Sequence, residues 1–102
     1  MSGNIYAVVM PKLGMTMKEG VVVDWQVKVG DEVEEGDEIV GIETEKITNA
    51  CEAPAYGVFR RCIADVGDTL SVGGLIGVIA DAETSEADID TFVGNFKPQE
   101  ES

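Results

Sequence analysis

One lysine in this chain is placed where its amine could do work. Lys46 lies in Glu43-Thr44-Glu45-Lys46-Ile47, with a strand-like run leading in (Ile39, Val40, Ile42) and another leading out (Ile47, Thr48, Ala50, Cys51). Two strands so close in sequence require a tight turn, whose central residues stand at its tip. The other lysines, Lys12, Lys18, Lys28 and Lys97, have no such setting. A primary amine on a rigid hairpin suits covalent attachment, because the strands fix its place and the long side chain gives reach. Carboxylates at Glu43 and Glu45 favour the ammonium form. A Schiff-base or general-base lysine needs the opposite, desolvation or a neighbouring cation. Spacing alone leaves a second reading open: a solvated turn lysine whose two ion pairs are worth little.

Other chemistries find few residues. Histidine is absent, which removes Ser/His and Cys/His pairs and His-ligated metals within the chain. Cys51 and Cys62 are too few for a Cys-only zinc site; they read as small buried hydrophobes rather than a disulfide. The acidic run from Asp31 to Glu38 has Val33 where a calcium loop wants a carboxylate, so it reads as a solvated face. Gly73-Gly74 with Gly77 is followed by no basic residue or helix start, so it is no phosphate loop. Trp25 alternates with Val23 and Val27 and reads as core. No catalytic residue and no metal site is expected.

The chain has 102 residues, 20 acidic against 7 basic, for a formal charge of −13. That balance opposes nucleic-acid and anionic membrane binding, which need clustered Lys and Arg, and favours solubility and electrostatic choice among partners. No signal-like or membrane-spanning apolar run occurs, so a reducing, cytoplasmic setting is expected.

The elements that would position Lys46 are short β-branched runs punctuated by Gly and Asp: Ile5–Met10, Val21–Trp25, Val27–Val29, Glu38–Ile42, Ile47–Ala53, Val58–Ile63 and Leu75–Ala80. The sequence also repeats at an offset of 37, which lays Gly20-Val21 on Gly57-Val58 and Val29-Gly30-Asp31 on Val66-Gly67-Asp68. Gly36 then falls on Gly73, Ile39 on Ile76 and Ile42 on Ile79, with Val33 and Leu70 as the apolar plug of each half. Neither half buries an apolar face alone, so an all-β, pseudo-two-fold sandwich or flattened barrel is expected. The halves differ by an insertion, Lys12 to Lys18, which belongs in a surface loop suited to recognition. Met15 and Met17 in it are either adaptable contacts or a flap over the core edge.

After Asp81 the character changes. Ser85 precedes Glu86, Ala87 and Asp88, a helix N-cap with acids in the first turn. Ile89, Phe92, Val93 and Phe96 share one helical face, which Gly94 interrupts and Pro98 ends. So short a helix is marginal alone. It is expected to fray or to dock on a domain beyond this chain rather than on the β domain, with Gln99 to Ser102 disordered.

Together, Met10-Pro11-Lys12-Leu13-Gly14-Met15-Thr16-Met17-Lys18-Glu19-Gly20, Trp25, Val29-Gly30-Asp31-Glu32-Val33, Gly36-Asp37, Glu43-Thr44-Glu45-Lys46, Pro54, Gly57, Val66-Gly67-Asp68 and Val72-Gly73 resemble a lipoyl domain. The resemblance covers residues 4–81 and leaves 82–102 as an acidic linker and partial helix leading to a further domain. The family usually reads Glu-Thr-Asp-Lys; Glu45 here keeps the charge and adds one methylene. The resemblance implies a barrel-sandwich hybrid of two four-stranded antiparallel sheets, with Lys46 on the turn at one end and the chain termini together in the other sheet. It implies lipoic acid in amide linkage on Lys46, attached by a lipoate ligase or lipoyl transferase. Glu43, Thr44, Glu45 and Ile47, with Lys12, Leu13, Gly14 and Met15 of the insertion, would serve recognition. It implies a carrier without catalysis of its own, serving a 2-oxo acid or acetoin dehydrogenase complex. The partners would be a thiamin-dependent dehydrogenase, an acyltransferase core and a flavin-dependent dihydrolipoamide dehydrogenase. The ending around Asp88-Ile89-Asp90-Thr91-Phe92-Val93 looks most like acetoin-type acyltransferase components, which would make this chain a fragment of one.

Three rival readings exist. A biotinyl carrier shares the fold, but its lysine is typically flanked by methionines, where Thr44, Glu45 and Ile47 stand here. An unmodified sandwich adaptor of the membrane-fusion type would lack the exposed lysine and bring coiled-coil segments. A stand-alone catalytic domain would need the missing histidines or a second domain to form a cleft.

Overall fold

The computed structural model describes residues 4–15, 17–44 and 47–96. Its strands are β1 (Ile5–Val9), β2 (Glu19–Trp25), β3 (Glu32–Val33), β4 (Glu38–Glu43), β5 (Thr48–Glu52), β6 (Gly57–Cys62), β7 (Thr69–Ser71) and β8 (Leu75–Ala80). They form two four-stranded antiparallel sheets, ordered β1-β8-β6-β3 and β5-β4-β2-β7. The repeat accounts for this order. Exchanging β1 with β5, β8 with β4, β6 with β2 and β3 with β7 converts one sheet into the other. The paired plugs and inward residues are the core: Val22 and Phe59, Ile39 and Ile76, and Ile42 and Ile79 are buried. Val33 is buried as well, and its counterpart Leu70 packs against the same cluster. Trp25 joins it with its ring 5.1 Å from Phe59, its indole N–H donating to the Ala64 carbonyl at 2.8 Å.

The Gly-Asp turns carry the symmetry into the backbone. Gly30 and Gly67 have φ of 103° and 99°, a region that side chains resist. Asp31 accepts the Lys28 N–H at 2.9 Å and Asp68 accepts the Asp65 N–H at the same distance. These Asx contacts are what the first residues of the acidic runs do locally. They also explain why Val27–Val29 is no strand: Asp31 N–H donates to the Lys28 carbonyl, and the chain turns there. The expected run dissolves into a connection, with Val29 largely exposed. β3 and β7, only two and three residues long, were absent from the expected strands because so few residues show no alternation.

The helix corrects an expectation. α1 (Glu86–Asn95) is capped by Ser85, whose hydroxyl accepts the Asp88 N–H at 3.1 Å, and it continues through Gly94. It docks on the β domain. Glu86 pairs with Arg60 at 2.9 Å and Arg61 at 2.8 Å, and Asp90 pairs with Arg61 at 2.9 Å. Arg60 also donates to the Asp81 carbonyl at 2.6 Å. Ile89 is fully buried, while Phe92, Val93 and Phe96 are half-buried. Periodicity located the apolar face but did not reveal that Arg60 and Arg61 on β6 are its electrostatic counterpart. The last six residues of the expected tail, 97–102, lie outside the described residues.

Two outcomes follow. A Cβ on Gly57 would lie 2.7 Å from the Ile79 Cγ2 and 3.2 Å from the Ala80 carbonyl oxygen. Gly57→Ala therefore overpacks the centre, and urea denaturation should show a loss of about 1–3 kcal/mol. Hydrogen bonds from Arg61, then Arg60, hold the Glu86 carboxyl below the ordinary carboxylate range. A depressed pKa contributes stability above its unfolded value, about 4.3, and loses it as pH falls through the folded value. Helical circular dichroism should therefore fall in an acid step that Glu86→Gln lacks; an identical acid profile in the variant would count against the ion-pair dock.

Candidate functional site

The β4–β5 hairpin is anchored from below. β4 is an interior strand, paired with β2 through Val22↔Ile42 and with β5 through Ile42↔Asn49 and Glu43↔Thr48. Ile42, one residue before the strand's end, is fully buried. The connection Thr44–Ile47 is then drawn closed from both sides. The Thr44 N–H donates to the Ile47 carbonyl at 2.8 Å. The Thr44 hydroxyl donates to the same carbonyl at 3.2 Å and accepts the Ile47 N–H at 3.3 Å. A threonine here gives the Ile47 N–H its partner and adds a second donor to the Ile47 carbonyl. Glu45 and Lys46, the residues between, lie outside the described residues. The exchange that relates the sheets puts Glu43↔Thr48 in the place of Ala80↔Ile5. Where one sheet carries this connection, the other carries the two ends of the β domain.

The insertion packs beside that connection. Its start is held by Met10 and its end by Lys18: Met10 N–H donates to the Gly74 carbonyl at 2.8 Å, and Val72 N–H donates to the Lys18 carbonyl at 3.1 Å. Inside, Leu13 N–H reaches the Met17 Sδ at 3.1 Å and Met17 N–H reaches the Gly14 carbonyl at 3.2 Å. The two methionines split the open alternatives. Met17 folds back on the core with Leu13, whereas Met15 is 94% exposed.

Between insertion and hairpin runs an open groove of about 780 Å³. Leu13, Gly14, Glu43, Thr44 and Ile47, five of the residues singled out from sequence, line it together. Lys12 and Met15 are exposed on the same loop but do not line it. Met17 and Lys18, which belong to the insertion expected to serve recognition, line it too, and so do Glu19, Gly20 and Val21, to which the sequence assigned no site role. Val21 faces outward because its neighbour Val22 is buried, an alternation that the uniform run Val21-Val22-Val23 does not show in sequence.

The thiols offer no competing chemistry. Burial, then Glu52, pushes Cys51 up to about 11. Burial, then Asp65 and Asp68, raises Cys62. Both are free, and Cys62 is exposed, not buried as its composition-level reading expected, because it sits at the end of β6 where the alternation turns outward. A raised pKa keeps a thiol protonated and poorly nucleophilic.

Comparison with known proteins agrees with this geometry. The biotin–lipoyl family model, described as biotin-requiring enzyme, matches residues 6–79. The dihydrolipoyllysine-residue acetyltransferase component of the acetoin cleaving system from Cupriavidus necator is 48% identical over 96 residues, covering 94% of this chain and 26% of that protein. That match leaves only six residues of the chain outside it, so it runs through α1 as well. The chain spans about a quarter of the length of this relative. The solution structure of the lipoyl domain of the 2-oxoglutarate dehydrogenase complex from Azotobacter vinelandii superposes with a TM-score of 0.56 at 30% identity, covering 78% of this chain and all of that domain. The crystal structure of the Kluyveromyces lactis urea carboxylase superposes at 0.63 with 25% identity, over 74% of this chain and 6% of that one. With matching sheets, matching sequence and a hairpin closed around the lysine's position, the chain belongs to the biotin–lipoyl domain family.

Proposed function

We propose that this chain is a lipoyl carrier whose Lys46 takes lipoic acid in amide linkage. The observation that carries the reading is the hairpin connection. Thr44 and Ile47 close it by three hydrogen bonds on a strand whose last inward residue is fully buried. An attachment point needs a fixed base and a free tip, and the base is of this kind. The residues beside the lysine fit lipoate better than biotin: Thr44, Glu45 and Ile47 stand where a biotinyl lysine would have methionines. The similarity to acetyltransferase components and to a lipoyl domain supports the same choice.

On this reading the dithiolane supplies the acyl- and electron-carrying chemistry, and the chain supplies place, reach and recognition. A lipoate ligase or lipoyl transferase loads Lys46. The loaded domain then visits a thiamin-dependent dehydrogenase, an acyltransferase core and a flavin-dependent dihydrolipoamide dehydrogenase. Tethering raises the effective concentration at each site. Glu43, Thr44, Glu45 and Ile47 with Lys12, Leu13, Gly14 and Met15 form the surface those partners read. The charge of −13 selects basic partner faces and repels other acidic surfaces. The segment after α1 leads toward the rest of an acyltransferase component, and the setting is the reducing cytoplasm.

Co-expression with a lipoate ligase and lipoic acid should add one lipoyl mass to the intact chain, mapped to the peptide holding Lys46. A bare Lys46 beside biotin attached under matching conditions would overturn the reading. Lys46→Ala should block modification while changing unfolding free energy by less than about 0.5 kcal/mol, as a surface substitution does.

A further inference from the structure

The groove beside the hairpin has a chemistry that the attachment point alone does not use. Its apolar lining is Leu13 and Met17 from the insertion, Val21 from β2 and Ile47 from the hairpin. Among the described residues its charged lining is one lysine, Lys18, and two carboxylates, Glu19 and Glu43. A volume of about 780 Å³ falls in the range of about 300–1,000 Å³ common to small-molecule sites. Ile47 is 48% exposed there, an apolar surface left to water at the residue following Lys46 in sequence.

We infer that this groove is a resting site for the lipoyl arm of the chain's own Lys46, so that the loaded arm is held against the domain between visits to partners. The inference rests on the lipoyl carrier reading. Three observations select this occupant. The groove is bounded by Thr44 and Ile47, the two described residues that flank the attachment position, so the occupant is tethered at its rim. Four of the lining residues, Leu13, Met17, Val21 and Ile47, are apolar and give an uncharged aliphatic chain with a soft dithiolane a surface to lie on. The Met17 thioether suits such a ring, being adaptable and polarisable. Met17 is also held in place, with its sulfur accepting the Leu13 N–H at 3.1 Å.

The physical switch is the amide bond itself. The free ammonium of an unmodified lysine keeps its hydration and is excluded from an apolar wall. Amide formation removes that charge and adds an eight-carbon acyl chain, so the same side chain changes from one that avoids the groove to one that gains by entering it. The groove is open, so the arm can leave it for a partner's active site and holding is reversible.

The test compares methyl and amide spectra of the whole chain before and after lipoylation, with intact mass confirming full loading. Lipoylation should shift the Leu13, Met17, Val21 and Ile47 signals and give nuclear Overhauser contacts between lipoyl methylenes and the Met17 methyl. Val21→Thr, an isosteric change on the outward face of β2 and outside the recognition residues, should reduce those contacts several-fold while the chain still loads and folds. Val29→Gln, exposed and outside the groove, should leave them unchanged. Full loading by mass with shifts confined to the hairpin tip would overturn the resting site and leave the carrier reading intact. A chain that does not load at all would overturn both.

Discussion

Four backbone hydrogen bonds tie the two halves of this domain into one. Gly30 donates to the Phe59 carbonyl at 2.8 Å and Gly67 donates to the Val22 carbonyl at 2.7 Å. In return, Phe59 donates to Asp31 at 2.8 Å and Val22 donates to Asp68 at 2.9 Å. Each turn of one half thus completes the backbone pairing of a strand in the other. Val22 and Phe59 are themselves buried core residues, so the bonds that join the halves and the packing that stabilises them meet at the same positions. A half alone would expose both its apolar face and these backbone groups, each costly when left unpaired away from water. Cooperation between the halves is therefore built into the turns, and the positive-φ glycines are what let the turns be tight enough to reach.

From that reciprocity comes the asymmetry on which function depends. A perfect dyad would make both ends of the domain alike. Here one end joins β4 to β5 and the equivalent end is where β1 begins and β8 finishes. The domain thus has a closed hairpin connection in one sheet and the two ends of its β region in the other. The insertion breaks the symmetry again, on the side of the attachment turn, and shapes a groove there. α1 breaks it a third time. The chain's two arginines, adjacent on β6, bind its acids and so set the direction in which the polypeptide leaves.

Most of this plan was legible in the residues because the repeat is physical. Turn glycines, Asx carboxylates and plugs recur in the same order, and a fold that must close on itself leaves little choice of topology. What was not legible had short or nonlocal causes. β3 and β7 are too brief to show a period. Val27–Val29 alternates like a strand, but the Asp31 carboxylate captures Lys28 and turns the chain. The dock of α1 depends on Arg60 and Arg61, which are 25 residues or more from Glu86 and carry no sequence mark of their partner. The insertion was legible as a surface loop, yet only the fold separates the inward Met17 from the outward Met15. The residue types around Lys46 pointed to attachment through a family resemblance, whereas its spacing alone also allowed an ordinary turn lysine.

The central claim is that the hairpin presents a lipoyl group that carries acyl units between enzymes. Its most direct test is acylation of the loaded domain itself. The lipoylated chain is incubated with the thiamin-dependent dehydrogenase component of an acetoin-cleaving complex and its substrate, and the intact mass is followed with time. The account predicts that the lipoylated chain alone gains one acyl mass, that the gain maps to the Lys46 peptide, and that it is discharged when an acyltransferase component and coenzyme A are added. A fully lipoylated domain that stays unacylated, beside a control lipoyl domain that is acylated in the same mixture, would contradict it.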